Sequence, residues 1–288
     1  MRHTRPDVTA DVLTGVPRRS GRGRRALVAG ALGLVAAAAL SGCTVNEIVF
    51  LDLPEPATVE AGIIKNLWDG SWIAAWIVGI LTWGLMIWAS IAYRRRHRSE
   101  VPEQTRYNLP IEILYTVLPL IMILGLFFFT ARDQSEILTV SNDEDRTVEV
   151  VGFRWNWAFN YIDDEAYSVG TPAVPAELVL PVGEKVRFEL VSPDVIHSFW
   201  VIDFLFKMDV IPGKTNVFEL TPDKVGVYAG KCAELCGTEH ARMLFTVRVV
   251  ERPEYDAYIA DLKARGQGGL FDTGMATDQG QMPDERTI

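Results

Sequence analysis

The chain has 288 residues, 49% of them hydrophobic, with a positive mean hydropathy and a formal charge of −9. That length suits one or two domains, and the apolar content is too high for a wholly soluble protein, so part of the chain belongs in a bilayer. The acidic balance argues against nucleic acid and favours a basic partner; it deepens to about −14 without the first 42 residues, where seven arginines face Asp7 and Asp11.

In chain order, the first predicted element is an export signal. Arg18, Arg19, Arg22, Arg24 and Arg25 precede the apolar run "ALVAGALGLVAAAAL" at 26–40, which "SGC" follows at once. This run falls short of the roughly 20 apolar residues that span a bilayer, so a cleaved signal over 1–42 fits better than a permanent helix. The stretch "LSGC" at 40–43 resembles a bacterial lipobox, which implies cleavage before Cys43 and acylation of that residue. An uncleaved anchor with a buried or free Cys43 is the alternative. Residues 43–71 would then form an external N-terminal segment.

Two stretches predict membrane-spanning helices, at 72–93 and 111–131. The first carries no charge and would rise about 33 Å as a helix, enough for the hydrocarbon core. In the second, Glu112 is the one acidic or basic side chain, and Pro119 is expected to bend the helix without preventing insertion. Arg94, Arg95, Arg96, Arg98 and Arg106 lie in the connecting loop 94–110, which the positive-inside rule places in the cytoplasm, leaving both ends of the mature chain outside. Trp68, Trp72, Trp76 and Tyr93 suit interfacial anchoring. Glu112 has two readings. Following Asn108 and Pro110, it is a helix-start carboxylate stabilised by the macrodipole. As an ionisable group at the cytoplasmic edge of a membrane helix, it also marks a proton pathway.

From about Thr147 onward, short alternating runs such as "KVRFEL" (185–190), "NVFEL" (216–220), "GVYAG" (226–230) and "LFTVRVV" (244–250) stand between turn signals. This pattern predicts an antiparallel sandwich or barrel of about 110 residues, within an external domain over 132–252. One short helix is expected at 253–264, and the Gly-rich polar remainder to 288 reads as disordered.

The chemistry concentrates in "KCAELCGTEHARM" at 231–243, where Cys232, Cys236 and His240 recur every four residues and Met243 follows. His197 stands upstream in "SPDVIHSFW". Two thiolates, two imidazoles and a thioether form a soft donor set suited to copper. A Cys232 to Cys236 disulfide would use only the cysteines, and a Cys2His2 zinc site would leave Met243 idle.

The stretches "HSFWVIDFLFKMDVIPG" (197–213) and "GVYAGKCAELCGTEHARM" (226–243), behind two membrane helices, resemble subunit II of a haem-copper cytochrome c oxidase, in its actinobacterial lipoprotein-like form. The resemblance implies an N-terminal two-helix transmembrane hairpin and an all-β, cupredoxin-like Greek-key sandwich with a dinuclear CuA centre. It implies that Cys232 and Cys236 bridge two coppers, that His197 and His240 each bind one, and that Met243 and the Glu234 carbonyl are weak outer ligands. The Glu234 side chain would reach a magnesium ion shared with subunit I. "GFRWNWAFNY" (152–161) is similar to the family's aromatic segment where electrons enter, which implies Trp155 in that role, with Asn156 in place of the middle aromatic. "IEILYTVLP" is similar to the start of the family's second helix, which implies Glu112 at the mouth of a proton channel into subunit I. Lys231 stands where the family usually has glutamine.

The implied activity is electron transfer from cytochrome c, or from a bound cytochrome c domain of a bc-type complex, through copper to haem in subunit I. Oxygen is reduced there, at haem and CuB, with proton pumping. The implied partners are subunit I, other oxidase subunits and the lipid bilayer of a bacterial cell membrane, with the copper domain on the external face. Residues 132–288 hold 27 acidic against 15 basic groups, which suits steering of a basic donor. An exported, membrane-anchored copper-delivery lipoprotein is the alternative function, although it has no need for the hairpin or Glu112.

Overall fold

The computed structural model describes residues 28–33, 42, 44–94, 101, 104–141, 143–171 and 173–272. They fall in two compact units divided between Asp52 and Leu53. In the first unit, residues 28–33 are helical, and a short helix α1 (Val45–Phe50) starts at a capping box. There the Thr44 hydroxyl accepts from the Glu47 amide at 3.2 Å, while the Glu47 carboxylate accepts from the Thr44 amide. Cys43 and most of the predicted signal lie outside the described residues.

The second unit begins with two long helices, α2 (Val59–Ala92) and α3 (Leu109–Leu138), both long and apolar enough to cross a membrane. Each runs further than its predicted apolar stretch. At 34 residues α2 rises about 51 Å, more than a hydrocarbon core requires. Its first turns are polar: the Thr58 hydroxyl accepts from the Ala61 amide at 3.0 Å, and Lys65 pairs with Asp69 at 3.3 Å one turn on. Apolar length therefore marks the stretch suited to lipid, while capping and i,i+4 pairs set where the helix starts. Pro119 lies inside α3, which continues without interruption. Of the arginines in the connecting loop, Arg95, Arg96 and Arg98 lie outside the described residues.

Ten strands follow: β1 (Arg146–Phe153), β2 (Asn156–Tyr161), β3 (Ala166–Val169), β4 (Ala176–Pro181), β5 (Val186–Val191), β6 (His197–Val201), β7 (Phe206–Val210), β8 (Asn216–Leu220), β9 (Gly226–Cys232) and β10 (Leu244–Val250). They form two five-stranded sheets, ordered β3-β2-β1-β5-β8 and β4-β10-β9-β6-β7. The expected all-antiparallel pairing is corrected at one place in each sheet. β1 runs parallel to β5 and β10 parallel to β4, because the chain crosses between sheets before returning to an earlier strand.

The alternating side chains of the facing sheets meet in an aromatic core. Trp157 and Phe159 of β2, with Phe188 and Phe218, pack against Phe199 and Phe245 of the opposite sheet; Phe199 and Phe245 stack with centroids 4.9 Å apart. Gly230 permits this stack, since a Cβ there would lie 2.1 Å from the Phe245 ring. The predicted C-terminal helix is α4 (Arg252–Ala264), which buries Tyr255, Tyr258, Ile259 and Leu262.

The tail is ordered further than its composition suggested. Phe271 stacks on Phe153 with centroids 5.7 Å apart, and its amide donates to Asn160 Oδ1 at 2.7 Å. This covers the outer face of β2 and explains why that strand is buried on both sides. Residues 273–288 lie outside the described set.

Backbone hydrogen bonds tie the hairpin to the sandwich. The Val59 amide donates to the Thr221 carbonyl and the Ala57 amide to that of Asp203, both at 3.0 Å, and Glu60 accepts from the Thr221 amide at 2.9 Å.

Candidate metal centre

Strand β9 ends on Cys232, and the chain returns as β10 after a short loop and a single 3-10 turn over His240–Arg242. The Cys232 amide donates to the Met243 carbonyl at 3.0 Å, closing the base of the loop, and the Ala233 amide donates to the Ser198 carbonyl at 3.0 Å. The loop is thereby fixed to β6, whose first residue is His197. Local spacing and one long-range strand pairing bring the donors together.

The two thiols face each other with Sγ atoms 3.9 Å apart, far beyond the roughly 2.05 Å of a disulfide. His197 Nδ1 lies 3.9 Å from Cys232 Sγ, and His240 Nδ1 lies 3.6 Å from Cys236 Sγ. Met243 Sδ is 3.7 Å from Cys236 Sγ, and the Glu234 carbonyl is 3.2 Å from Cys232 Sγ. The donors of His197, Cys232 and Cys236 all lie within 4.8 Å of one another, and His240 reaches that group through Cys236. His197 and the Glu234 carbonyl thus contact the Cys232 sulfur, and His240 and Met243 contact the Cys236 sulfur. A Cys2His2 zinc would leave Met243 and the Glu234 carbonyl without a role, whereas soft copper ions suit all of these donors. His197, Cys232, Cys236 and Met243 are all buried, whereas the Glu234 side chain is exposed.

Burial pushes the Cys236 thiol up to about 12, and the neighbouring Cys232 adds to the effect. Burial also holds the His197 imidazole below its ordinary value, so it is neutral near pH 7. The Asp194 carboxyl is raised by burial, but hydrogen bonds from the Arg154 amide, His197 and the Val195 amide outweigh that and keep it below the ordinary range. Asp194 Oδ1 lies 2.9 Å from His197 Nε2. An ionised acceptor at that position accepts a hydrogen bond from Nε2–H and leaves the Nδ1 lone pair facing the thiols.

Trp155 and Trp157, the two tryptophans of "GFRWNWAFNY", separate clearly. Trp155, in the turn between β1 and β2, is 38% exposed, and its Nε1 donates to the Cys236 carbonyl at 3.2 Å. Trp157 is fully buried, with Nε1 donating to the Met243 carbonyl at 3.4 Å and its ring 6.2 Å from that of His197. Gly237 has a positive φ, and a Cβ there would meet Trp155 Nε1 at 3.0 Å. The indole therefore rests directly on the ligand loop. Lys231 Nζ sits 4.2 Å from the Trp200 ring centre, on the strand pairing beside Cys232.

Glu112 stands apart from this centre, at the start of α3. Its Oε1 accepts from the Asn108 amide at 2.9 Å, while Asn108 Oδ1 accepts from the Ile111 amide at 3.4 Å, so the carboxylate helps close the helix N-terminus. Asp194 and Gly237 escaped the sequence reading. An acid three residues before a candidate ligand histidine, in "DVIH", was the available signal for the first; the glycine after Cys236 carries none without its tryptophan neighbour.

Comparisons with known proteins show the family. The family described as "Cytochrome C oxidase subunit II, periplasmic domain" matches residues 146–250. A probable cytochrome c oxidase subunit 2 of Streptomyces avermitilis is 48% identical, over 90% of this chain and 93% of that protein. The chain belongs to the cytochrome c oxidase subunit II family. Cytochrome c oxidase subunit 2 of Mycobacterium tuberculosis is 33% identical, over 83% of this chain and 82% of that protein. The crystal structure of the periplasmic domain of subunit II of cytochrome oxidase of Bradyrhizobium japonicum covers 44% of this chain and 99% of its own, at 31% identity and a TM-score of 0.41. The sandwich is the family's cupredoxin-like domain, behind a membrane-anchoring hairpin, and the chain is one subunit of an oxidoreductase complex. This membership does not favour the copper-delivery alternative.

Proposed function

We propose that this subunit receives electrons at a CuA centre and delivers them to subunit I of the oxidase. The observation that carries the reading is the gathering of two imidazoles, a thioether and a backbone carbonyl around two buried thiols 3.9 Å apart. Cys232 and Cys236 would both hold the copper pair, His197 and His240 would each bind one copper, and Met243 and the Glu234 carbonyl would be weak outer ligands. When bound, the copper pair supplies a one-electron carrier between a donor cytochrome and the haem of subunit I.

The chain's own residues do the rest. Burial excludes water from the thiols, and Asp194 and the loop hydrogen bonds fix the ligand positions, so gaining or losing an electron moves little. Trp155 is the proposed point where electrons enter: its ring reaches solvent and its N–H is bonded to the backbone of a ligand residue. The exposed Glu234 carboxylate would hold magnesium together with subunit I. Glu112 would receive protons at the mouth of a channel into subunit I, and its hydrogen bond to Asn108 would place the carboxylate there. Cys43 would be acylated after signal removal, and the sandwich would face the outside, where its acidic excess steers a basic cytochrome c or a bound cytochrome c domain.

Trp155→Phe in the intact oxidase tests the assignment. Stopped-flow reduction by the donor cytochrome should slow sharply while the copper spectrum is unchanged; an unaltered rate would remove Trp155 from the path. Glu112→Gln should slow proton uptake and leave copper reduction normal, and an unchanged turnover would leave Glu112 as a helix cap alone.

A further inference from the structure

The turn between β1 and β2 touches the ligand set at more than one point. Trp155 bonds the Cys236 carbonyl on one side, and on the other the preceding residue reaches the support of His197. The Arg154 amide donates to Asp194 Oδ2 at 2.8 Å, and its Nε donates to the same oxygen at 3.2 Å. Asp194 Oδ1 accepts from the Val195 amide at 2.6 Å and the Ser192 hydroxyl at 3.3 Å, and meets His197 Nε2 at 2.9 Å. Asp194 is almost fully buried, whereas the Arg154 side chain is half exposed.

We infer that Arg154 is a positioning residue for the metal ligand His197, acting through Asp194. This rests on the copper reading above and deepens it. The two oxygens of Asp194 have separate tasks. Oδ1 is aimed at His197 and fixes which ring nitrogen faces the thiols. Among the described residues Oδ2 is held by Arg154 alone, through the backbone and the guanidinium, so Arg154 helps set the rotation of the carboxylate about its own axis. Without the guanidinium the Arg154 amide is left to restrain Oδ2 by itself, and the carboxylate turns more easily about its axis against the contacts that hold Oδ1. A charge-assisted contact to a planar donor resists such rotation better than a neutral one.

The placement has a functional side. Arg154 also lines a cleft of about 370 Å3 beside Trp155, together with Arg242 and Glu239. The residue that positions His197 therefore stands at the surface where the proposed electron path begins. The turn carries both the path into the centre and the support of one ligand.

The test uses the full-length chain in detergent, loaded with copper, as parent, Arg154→Gln, Arg154→Lys and Asp194→Asn. Copper affinity is read by competition with a chelator, the site by electron paramagnetic resonance, and the fold by thermal unfolding of the metal-free protein. Arg154→Gln should lower copper affinity about tenfold, the smaller end of what loss of a ligand-supporting contact costs. It should also change the hyperfine pattern while metal-free unfolding stays at the parent value. Asp194→Asn should do the same more strongly, and Arg154→Lys should restore most of the affinity. A parent chain that binds no copper pair sinks the copper reading itself. With a parent that binds it, an Arg154→Gln variant equal in affinity and spectrum overturns the Arg154 assignment alone. A fall in affinity matched by lost metal-free stability also overturns it, by making Arg154 an ordinary structural residue.

Discussion

The ligand loop and the seam under α4 are built by opposite means. At the seam charged groups pair within the protein. Arg146 pairs with Asp164 and Glu184 at 2.7 Å each and lies over the Tyr255 ring, the Tyr255 hydroxyl donates to Asp164 at 2.6 Å, and Arg252 pairs with Glu184 and Asp256 at 2.8 Å. Around the thiols, buried donors face one another, and the Cys236 proton is held up to about 12. The seam is complete as protein, whereas on the proposed reading the ligand loop would be completed by a cation. Folding should therefore depend on the first and metal content on the second.

The largest expected effect is at the loop. Cys236→Ser should abolish binding of a copper pair, read by metal analysis per chain, while metal-free thermal unfolding changes little. A variant that retains two coppers would break the comparison. Next comes the seam: Leu262→Ala should cost about 3 kcal/mol in denaturant unfolding, from lost burial and the cavity left behind, with copper per folded chain unchanged. The smallest effect should be with pH. The raised Cys236 value favours the folded, protonated thiol; that contribution is complete below the unfolded value of 9.0 and fades as pH rises toward about 12. Metal-free protein should lose stability across that alkaline window. Copper-loaded protein, whose thiols have already released their protons, should not show the Cys236 component; equal slopes would contradict it.

Much of this was legible in the sequence, for physical reasons that differ by residue. Cys232, Cys236, His240 and Met243 sit within one loop, so their spacing already forces proximity. The apolar stretches revealed the hairpin because lipid compatibility is a property of composition. The parallel partners β1 with β5 and β4 with β10 were not legible, since alternation reports a strand's faces and not its neighbour. Trp155 and Trp157 are two apart and read alike, yet one lies in a turn and the other in the core. Phe271 sits in a Gly-rich run that reads as disordered, yet the rings of Phe153 and Tyr167 and hydrogen bonds with the Asn160 side-chain amide hold it. Asp194 is an ordinary loop acid until the fold turns it toward His197.

The central claim is that this donor set holds two coppers as one electronic unit. Electron paramagnetic resonance of the copper-loaded full-length chain tests this most directly. The expected result is hyperfine structure from one unpaired electron shared equally over two copper nuclei. A single-copper pattern, or a chain that takes up zinc and stays colourless, would contradict it.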